Sequence, residues 1–239
     1  MYCFQCQEAA KNEACTVRGV CGKPEETADL QDLLIYVAKG IAVYGEKLKD
    51  QGTVDKDAAR FIGQALFVTV TNTAWDDEVI IDWIKEALEV RAAVREKVDP
   101  ADLGALPDCA TWKPQNDEQI MAKALSDEVR ITSTEDEDVR SLRELLIIGC
   151  KGIAAYADHA AVLGYEQDEI DGFLMEALAS TTKDLEIDEM MAMVMKAGDM
   201  AVKTMALLDE AHTATYGHPE MTEVNIGVGN NPGILISGH

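Results

Sequence analysis

Leu33-Leu34-Ile35-Tyr36-Val37-Ala38-Lys39-Gly40-Ile41-Ala42-Val43-Tyr44 is answered 112 residues later by Leu145-Leu146-Ile147-Ile148-Gly149-Cys150-Lys151-Gly152-Ile153-Ala154-Ala155-Tyr156. The same offset carries Phe61, Ala65, Leu66 and Thr69 onto Phe173, Ala177, Leu178 and Thr181. Matching runs at one constant offset argue for duplication rather than coincidence. Apolar residues recur at helical spacing in both copies, so the repeated unit is helical.

Working outward, each copy reads as three helices. In the first they cover residues 27–48, 55–71 and 75–98, with Gly45, Gly52 and Asn72 as punctuation and Pro100 closing the unit. In the second, Thr134 and Glu137 have the spacing of a capping box opening a helix that runs to Leu163 and stops at Gly164, followed by helices over 167–182 and 186–213. Each helix has one apolar stripe to bury, which predicts two antiparallel three-helix bundles in a mainly α chain. The expected organisation is a cysteine-rich loop (1–26), a first bundle (27–100), a surface connector (101–133), a second bundle (134–216) and the start of an α/β domain (217–239). That last segment changes texture. Residues 223–233 are glycine-rich and turn-like, and Ile234-Leu235-Ile236-Ser237 reads as a first buried strand, so the chain reads as stopping within a unit.

The chain has 239 residues, with 44 acidic against 21 basic residues and a formal charge of −23. Such a surface repels phosphate backbones and anionic lipid, which argues against nucleic-acid or membrane partners and favours a basic protein partner or a cationic small molecule. The N-terminus has neither a basic segment nor an apolar one of the kind that directs secretion, and the 33–44 run is too short to span a bilayer. With Cys109 and Cys150 isolated in their own segments, a reducing cytoplasm is expected.

Chemistry concentrates at the start. Cys3, Cys6, Cys15 and Cys21 are spaced C-x2-C-x8-C-x5-C, ahead of any helical pattern. Four such thiols can converge on one soft metal centre. Zinc knots usually present two C-x2-C pairs, and only Cys3 and Cys6 form one; the spacing also departs from the common ferredoxin patterns. Spacing alone therefore leaves an iron–sulfur cluster, a zinc knot and two disulfides in play.

The motifs themselves go further. Cys3-Phe4-Gln5-Cys6-Gln7-Glu8, Cys15-Thr16-Val17-Arg18-Gly19-Val20-Cys21-Gly22-Lys23 and Leu30-Gln31-Asp32-Leu33-Leu34-Ile35-Tyr36 closely resemble the start of the hybrid-cluster (prismane) proteins. The resemblance continues through Asp138–Leu146 and Asn231–His239, in order, along the whole chain. It implies a helical domain of two three-helix bundles followed by α/β domains. It implies that Cys3, Cys6, Cys15 and Cys21 hold a 4Fe-4S cubane, the tight spacing resembling the four-iron rather than the two-iron variant. It implies a second, hybrid iron–sulfur–oxygen cluster, of which His239 matches the first ligand. The implied activity is reduction of hydroxylamine to ammonia and water, with nitric oxide as a related substrate and a redox protein as electron donor. Because the other hybrid-cluster ligands of that family would lie downstream, the 239-residue chain alone is expected to be inactive. The contrasting reading is a stand-alone electron-transfer or binding module using the N-terminal cluster only.

Other residues read more plainly. His159 is expected at a bundle seam, and His212 and His218 near a helix end, where the dipole favours them. Cys109 and Cys150 read as packing residues. Met190, Met191, Met193, Met195, Met200 and Met205 read as core filler, with a channel lining as the sharper possibility. The glycines from 227 to 233 lack the dinucleotide-binding pattern, and neither a Walker motif nor a Ser-His-Asp set is present.

Overall fold

A computed structural model describes residues 1–70, 74–224 and 226–234. Its helices are α1 (Glu25–Asp50), α2 (Lys56–Val68), α3 (Asp77–Lys97), the short α4 (Asp108–Thr111) and α5 (Asp117–Ala124), then α6 (Glu137–Val162), α7 (Asp168–Ser180) and α8 (Ile187–Tyr216). The pairs α1/α6 and α2/α7 match at both ends at the 112-residue offset of the repeat. Even their terminations correspond. α1 ends through Gly52 at φ +83, with the Thr53 amide donating to the Leu48 carbonyl, and α6 ends through Gly164 at φ +84, with Tyr165 donating to Ala160. Glycine is required there because the chain must turn through the left-handed region to satisfy those carbonyls.

N-termini are set by short acceptors. The side chains of Asp55, Asp76, Asn116 and Asp136 accept backbone N–H bonds at the starts of α2, α3, α5 and α6. The predicted Thr134–Glu137 capping box does not form. Asp136 caps α6 instead, while the Thr134 hydroxyl and carbonyl accept from Arg143 and Arg140. A reciprocal contact of that kind occurs at α8, where the Glu189 carboxylate accepts from the Glu186 amide at 3.0 Å.

Packing crosses between the halves. α1 lies mainly against α3 of its own half and α7 of the other, α6 mainly against α8 and α2, and α2 and α7 also touch. The two halves thus exchange their second helices about a pseudo-twofold axis and share one continuous core. Each fully buried Leu or Ile in it, such as Leu30, Leu33, Ile62 or Leu146, is worth about 1.5–3 kcal/mol.

Two further expectations are corrected, and one pair of repeated glycines parts company. The connector is not a surface layer: α4 buries Cys109 and Ala110 against α1, and Ile120, Ala124 and Val129 join the core. Gly40 and Gly152, equivalent in the repeat, stand in different surroundings. A Cβ on Gly40 would stand 2.1 Å from the Cys109 carbonyl oxygen, whereas one on Gly152 meets no atom of the described residues within 4 Å. The methionine-rich helix is only partly filler, since Met190 and Met200 are buried while Met191, Met195 and Met205 are exposed. Cys109 and Cys150 are buried as expected, and His159, exposed on α6, meets the Phe67 ring edge-on at the α2–α6 seam. Residues 217–224 and 226–234 form neither helix nor strand, and most of the predicted strand, with His239, lies outside the described residues.

α6 is long and apolar enough to cross a membrane by length and composition. It carries buried Glu144 and Lys151 and packs against α2 and α8, which is the use of a core helix.

Candidate metal centre

The four N-terminal cysteines occupy a loop folded back on itself. Cys3 and Cys15 exchange backbone hydrogen bonds of 3.0 and 2.9 Å in an isolated antiparallel bridge. The reversal between them uses a single 3-10 turn, Ala10–Asn12, in which Lys11 and Asn12 adopt positive φ of 58 and 59. Cys3 and Cys15 are buried with Ala28 of α1, while Cys6 and Cys21 are half-buried. A second small turn places Cys21: Gly22 donates to the Gly19 carbonyl and Gly19 to that of Lys23. Gly19 is required, because a Cβ there would sit 2.9 Å from the Cys21 sulfur. Gly22, at φ +93, lies under the Trp75 ring.

Gln5, inside the C-x2-C step, anchors this loop to the helices. Its amide donates to the Ala28 carbonyl at 3.0 Å and to Asp32 at 2.6 Å, and its side-chain oxygen accepts from Lys23 at 2.6 Å. Its backbone carbonyl accepts from Lys151 of α6 at 3.1 Å. Lys23 also donates to Gln31, whose amide reaches the Ala74 carbonyl at 2.8 Å. Sequence reasoning misses Gln5, Lys23, Asp32 and Lys151 as functional residues. A signal for two of them, Asp32 and Lys151, does exist: Asp32 and Glu144, like Lys39 and Lys151, are equivalent positions of the repeat, and charges repeated on the apolar stretches of two core helices need partners.

Electrostatics here are those of buried charge. Burial, and then the Asp32 carboxylate, push the Cys3 thiol up to about 11. Burial raises Asp32 to about 7, lowers Lys151 to about 8 and raises Glu144. Burial alone pushes Cys150 up to about 12 and is the main cause holding Cys109 at about 11, which makes both inert as thiols.

All six cysteines are free, so the disulfide alternative does not hold. The donor set suits a soft metal: four unpaired thiols on one loop, stapled at Cys3–Cys15, with the ammonium groups of Lys23 and Lys151 offsetting part of the burial and Asp32 charge that hold the Cys3 thiol up. Among the described residues no three His, Cys, Asp or Glu side chains stand at metal-ligating spacing. The fit is thus one of donor chemistry and loop construction. His239 lies outside the described residues.

A helical repeat that carries a four-thiol loop on its paired first helices defines a candidate soft-metal protein. The chain belongs to the Prismane/CO dehydrogenase family, which it matches over residues 1–239. It is 72% identical over 239 residues to a hydroxylamine reductase of Desulfosudis oleivorans, 61% over 247 residues to one of Nitratidesulfovibrio vulgaris and 47% over 239 residues to one of Methanocaldococcus jannaschii. Each match takes in all of this chain but 44% of the relative, so the chain spans under half the length of the curated relatives it matches. Membership makes it part of an iron–sulfur oxidoreductase family.

Proposed function

We propose that this chain carries the electron-relay centre of a hydroxylamine reductase, a 4Fe-4S cluster held by Cys3, Cys6, Cys15 and Cys21. The observation that carries the reading is the free four-thiol loop, built on Gln5, in a chain 72% identical to a hydroxylamine reductase. Such a cluster, when bound, passes single electrons. With four thiolate ligands it offers no open position to substrate. The protein's own residues then act structurally. The Cys3–Cys15 bridge fixes two donors, Gly19 leaves room for the Cys21 sulfur, and Gln5 ties the C-x2-C step to α1 and α6.

The overall reaction adds two electrons and two protons to hydroxylamine, cleaves the N–O bond and releases ammonia and water. Nitric oxide is a related substrate of the same reading. Electrons come from a redox protein, for which a chain of net charge −23 favours a basic docking face. The hybrid iron–sulfur–oxygen cluster, with His239 as one ligand, supplies the site of reduction in the whole protein. A cytoplasmic location, without membrane or nucleic-acid partners, suits the free thiols and the acidic surface.

The test is analytical. Protein purified under anaerobic conditions should be brown and contain iron and acid-labile sulfide in equal amounts, and Cys15→Ser should lose most of that colour. The full-length protein should consume hydroxylamine and release ammonia with a reduced dye as donor. A colourless protein with one zinc per chain overturns the cluster, and a loaded protein that leaves hydroxylamine untouched overturns the reaction.

A further inference from the structure

Beneath the cysteine loop, α1 and α6 face each other across a cavity of about 20 Å³, room for about one water. Its walls repeat themselves. Asp32 and Glu144, Ile35 and Ile147, Tyr36 and Ile148, and Lys39 and Lys151 all line it, and each pair is related by the 112-residue offset. The pseudo-twofold axis of the duplication therefore runs through the cavity, and two carboxylates and two ammonium groups meet there.

The two ends of this site differ. On one side the loop inserts Phe4 and Gln5, and on the other the connector inserts Val129 and Ile131. That insertion breaks the symmetry of the lysines. Lys151 turns to the loop and donates to the Gln5 carbonyl at 3.1 Å, whereas Lys39 also lines the adjoining cleft with Asp108, Arg130 and Arg143. Lys151 is 5% exposed and Glu144 8%. Charges so poorly screened by water act strongly on their surroundings, and an electron arriving at the loop adds a unit of negative charge within their reach.

We infer that Lys151 is a positioning residue for the Cys3–Cys6 step whose buried ammonium holds the reduction potential of the centre on that loop upward, with Glu144 as the opposing charge. The inference rests on the four-cysteine reading above. A fixed positive charge favours the reduced, more negative state, and a buried carboxylate disfavours it. Lys151 thus does two things: it pins the Gln5 carbonyl, and it compensates the incoming electron. The duplication supplied two carboxyl and two lysine side chains at equivalent positions around the cavity; the loop uses one of the lysines.

The experiment is a redox titration of the full-length protein, followed by the electron paramagnetic resonance of the reduced centre, after iron and sulfide counts have established loading. Lys151→Gln keeps a donor for the Gln5 carbonyl but loses the charge. It should move the reduction equilibrium at least tenfold toward the oxidised state, about 59 mV for a one-electron couple. Lys151→Arg should stay within a few-fold of wild type, and Glu144→Gln should move the other way. Loaded Lys151→Gln with an unchanged potential, or Glu144→Gln that fails to rise, overturns the inference. Should neither Lys151 variant retain iron, Glu144→Gln decides alone by the sign of its shift. Wild-type protein without iron and sulfide defeats the four-cysteine reading instead, so the two failures are distinct.

Discussion

Tyr44 and Tyr156 close the two copies of the repeated helix at equivalent positions, yet Tyr44 is 1% exposed and Tyr156 44%. The helices around them start and stop alike; what differs is what covers them. In the first half the connector folds back over α1. The Tyr44 hydroxyl donates to the Ala110 carbonyl at 3.0 Å, and Arg91 of α3 donates to Cys109 at 2.6 Å and to Trp112. Tyr36 and Lys123 meet on Asp108, at 2.6 and 2.7 Å. On α6 the equivalent position, Gly152, borders a cleft shared with Gln5, Cys6, Gln7, Glu8 and Val70, and no described atom lies within 4 Å of where its Cβ would stand. Duplication thus fixed the first two helices of each half and their ends, while the segment between the copies decided which half became sealed.

The largest expected effect separates the two lysine-glycine pairs. Gly40→Ala drives a Cβ to 2.1 Å from a backbone carbonyl and within 3.0 Å of the Arg91 side chain. The helix α4 must move, at a cost of about 3 kcal/mol or more. Gly152→Ala meets nothing within 4 Å among the described residues and should gain about 0.5–1 kcal/mol from helix propensity. Urea unfolding of both variants reads the contrast directly, and equal effects would remove the distinction between a covered and an open half.

Next comes the crossing of exchanged helices. On one side of the axis Met175 of α7 packs onto Gly45 of α1, so tightly that a Cβ there would lie 1.8 Å from its sulfur. The equivalent positions on the other side are Gly63 of α2 and Ala157 of α6, which border a small cavity. Met175→Ala should therefore cost about 3 kcal/mol through an unfilled space, whereas Gly63→Ala, 3.9 Å from its nearest neighbour, should be stabilising by about 0.5–1 kcal/mol. A smaller contrast is expected between the tyrosines. Tyr44→Phe leaves the Ala110 carbonyl unpaired and should cost about 1–2 kcal/mol, while Tyr156→Phe should stay within about 0.5 kcal/mol of wild type. Thermal unfolding at matched protein concentration checks both pairs.

These contrasts also mark what is legible in the sequence. The 112-residue offset and the apolar period locate six long helices because both are local signals, carried by runs such as Leu33–Tyr44. The spacing of Cys3, Cys6, Cys15 and Cys21 marks one loop for the same reason. The exchange of α2 and α7 is not legible, since a helix with an apolar stripe does not state which partner it will cover. Nor is the burial of the connector: Cys109, Ala110 and Val129 are too few and too scattered to form a periodic pattern, and only Gly40 on α1 reveals where they dock. Asp136 outcompetes Thr134 as the cap of α6 because its carboxylate reaches two amides at once, at 2.9 and 3.0 Å. Gln5 stands inside a legible motif, yet its anchoring role is hidden, because its four hydrogen bonds go to Ala28, Asp32, Lys23 and Lys151, up to 146 positions away.

The smallest expected effect depends on pH and tests the same comparison at a single pair. Asp171 of α7 stands where α2 has buried Ala59, and both border the small cavity at the Gly63 crossing. Burial, then the nearby Glu166, raise the Asp171 carboxyl to about 6 from an ordinary value of 3.8. A carboxyl raised on folding binds its proton more tightly in the folded state. Between pH 3.8 and about 6 the folded protein therefore holds more protons than the unfolded chain, and this group's contribution to stability falls as pH rises through that window. Above it the ionised carboxylate is a constant burden, moderated by its partial exposure and by Lys56. Asp171→Asn removes the charge and keeps the shape. It should be more stable than wild type at pH 7, and the advantage should shrink steadily as the pH is lowered, vanishing below about pH 4. Urea midpoints for the two proteins across that range measure it. A difference that does not change with pH would mean that Asp171 is solvated as freely as a surface residue, and that the second half is as tolerant of charge at this crossing as the first is of alanine.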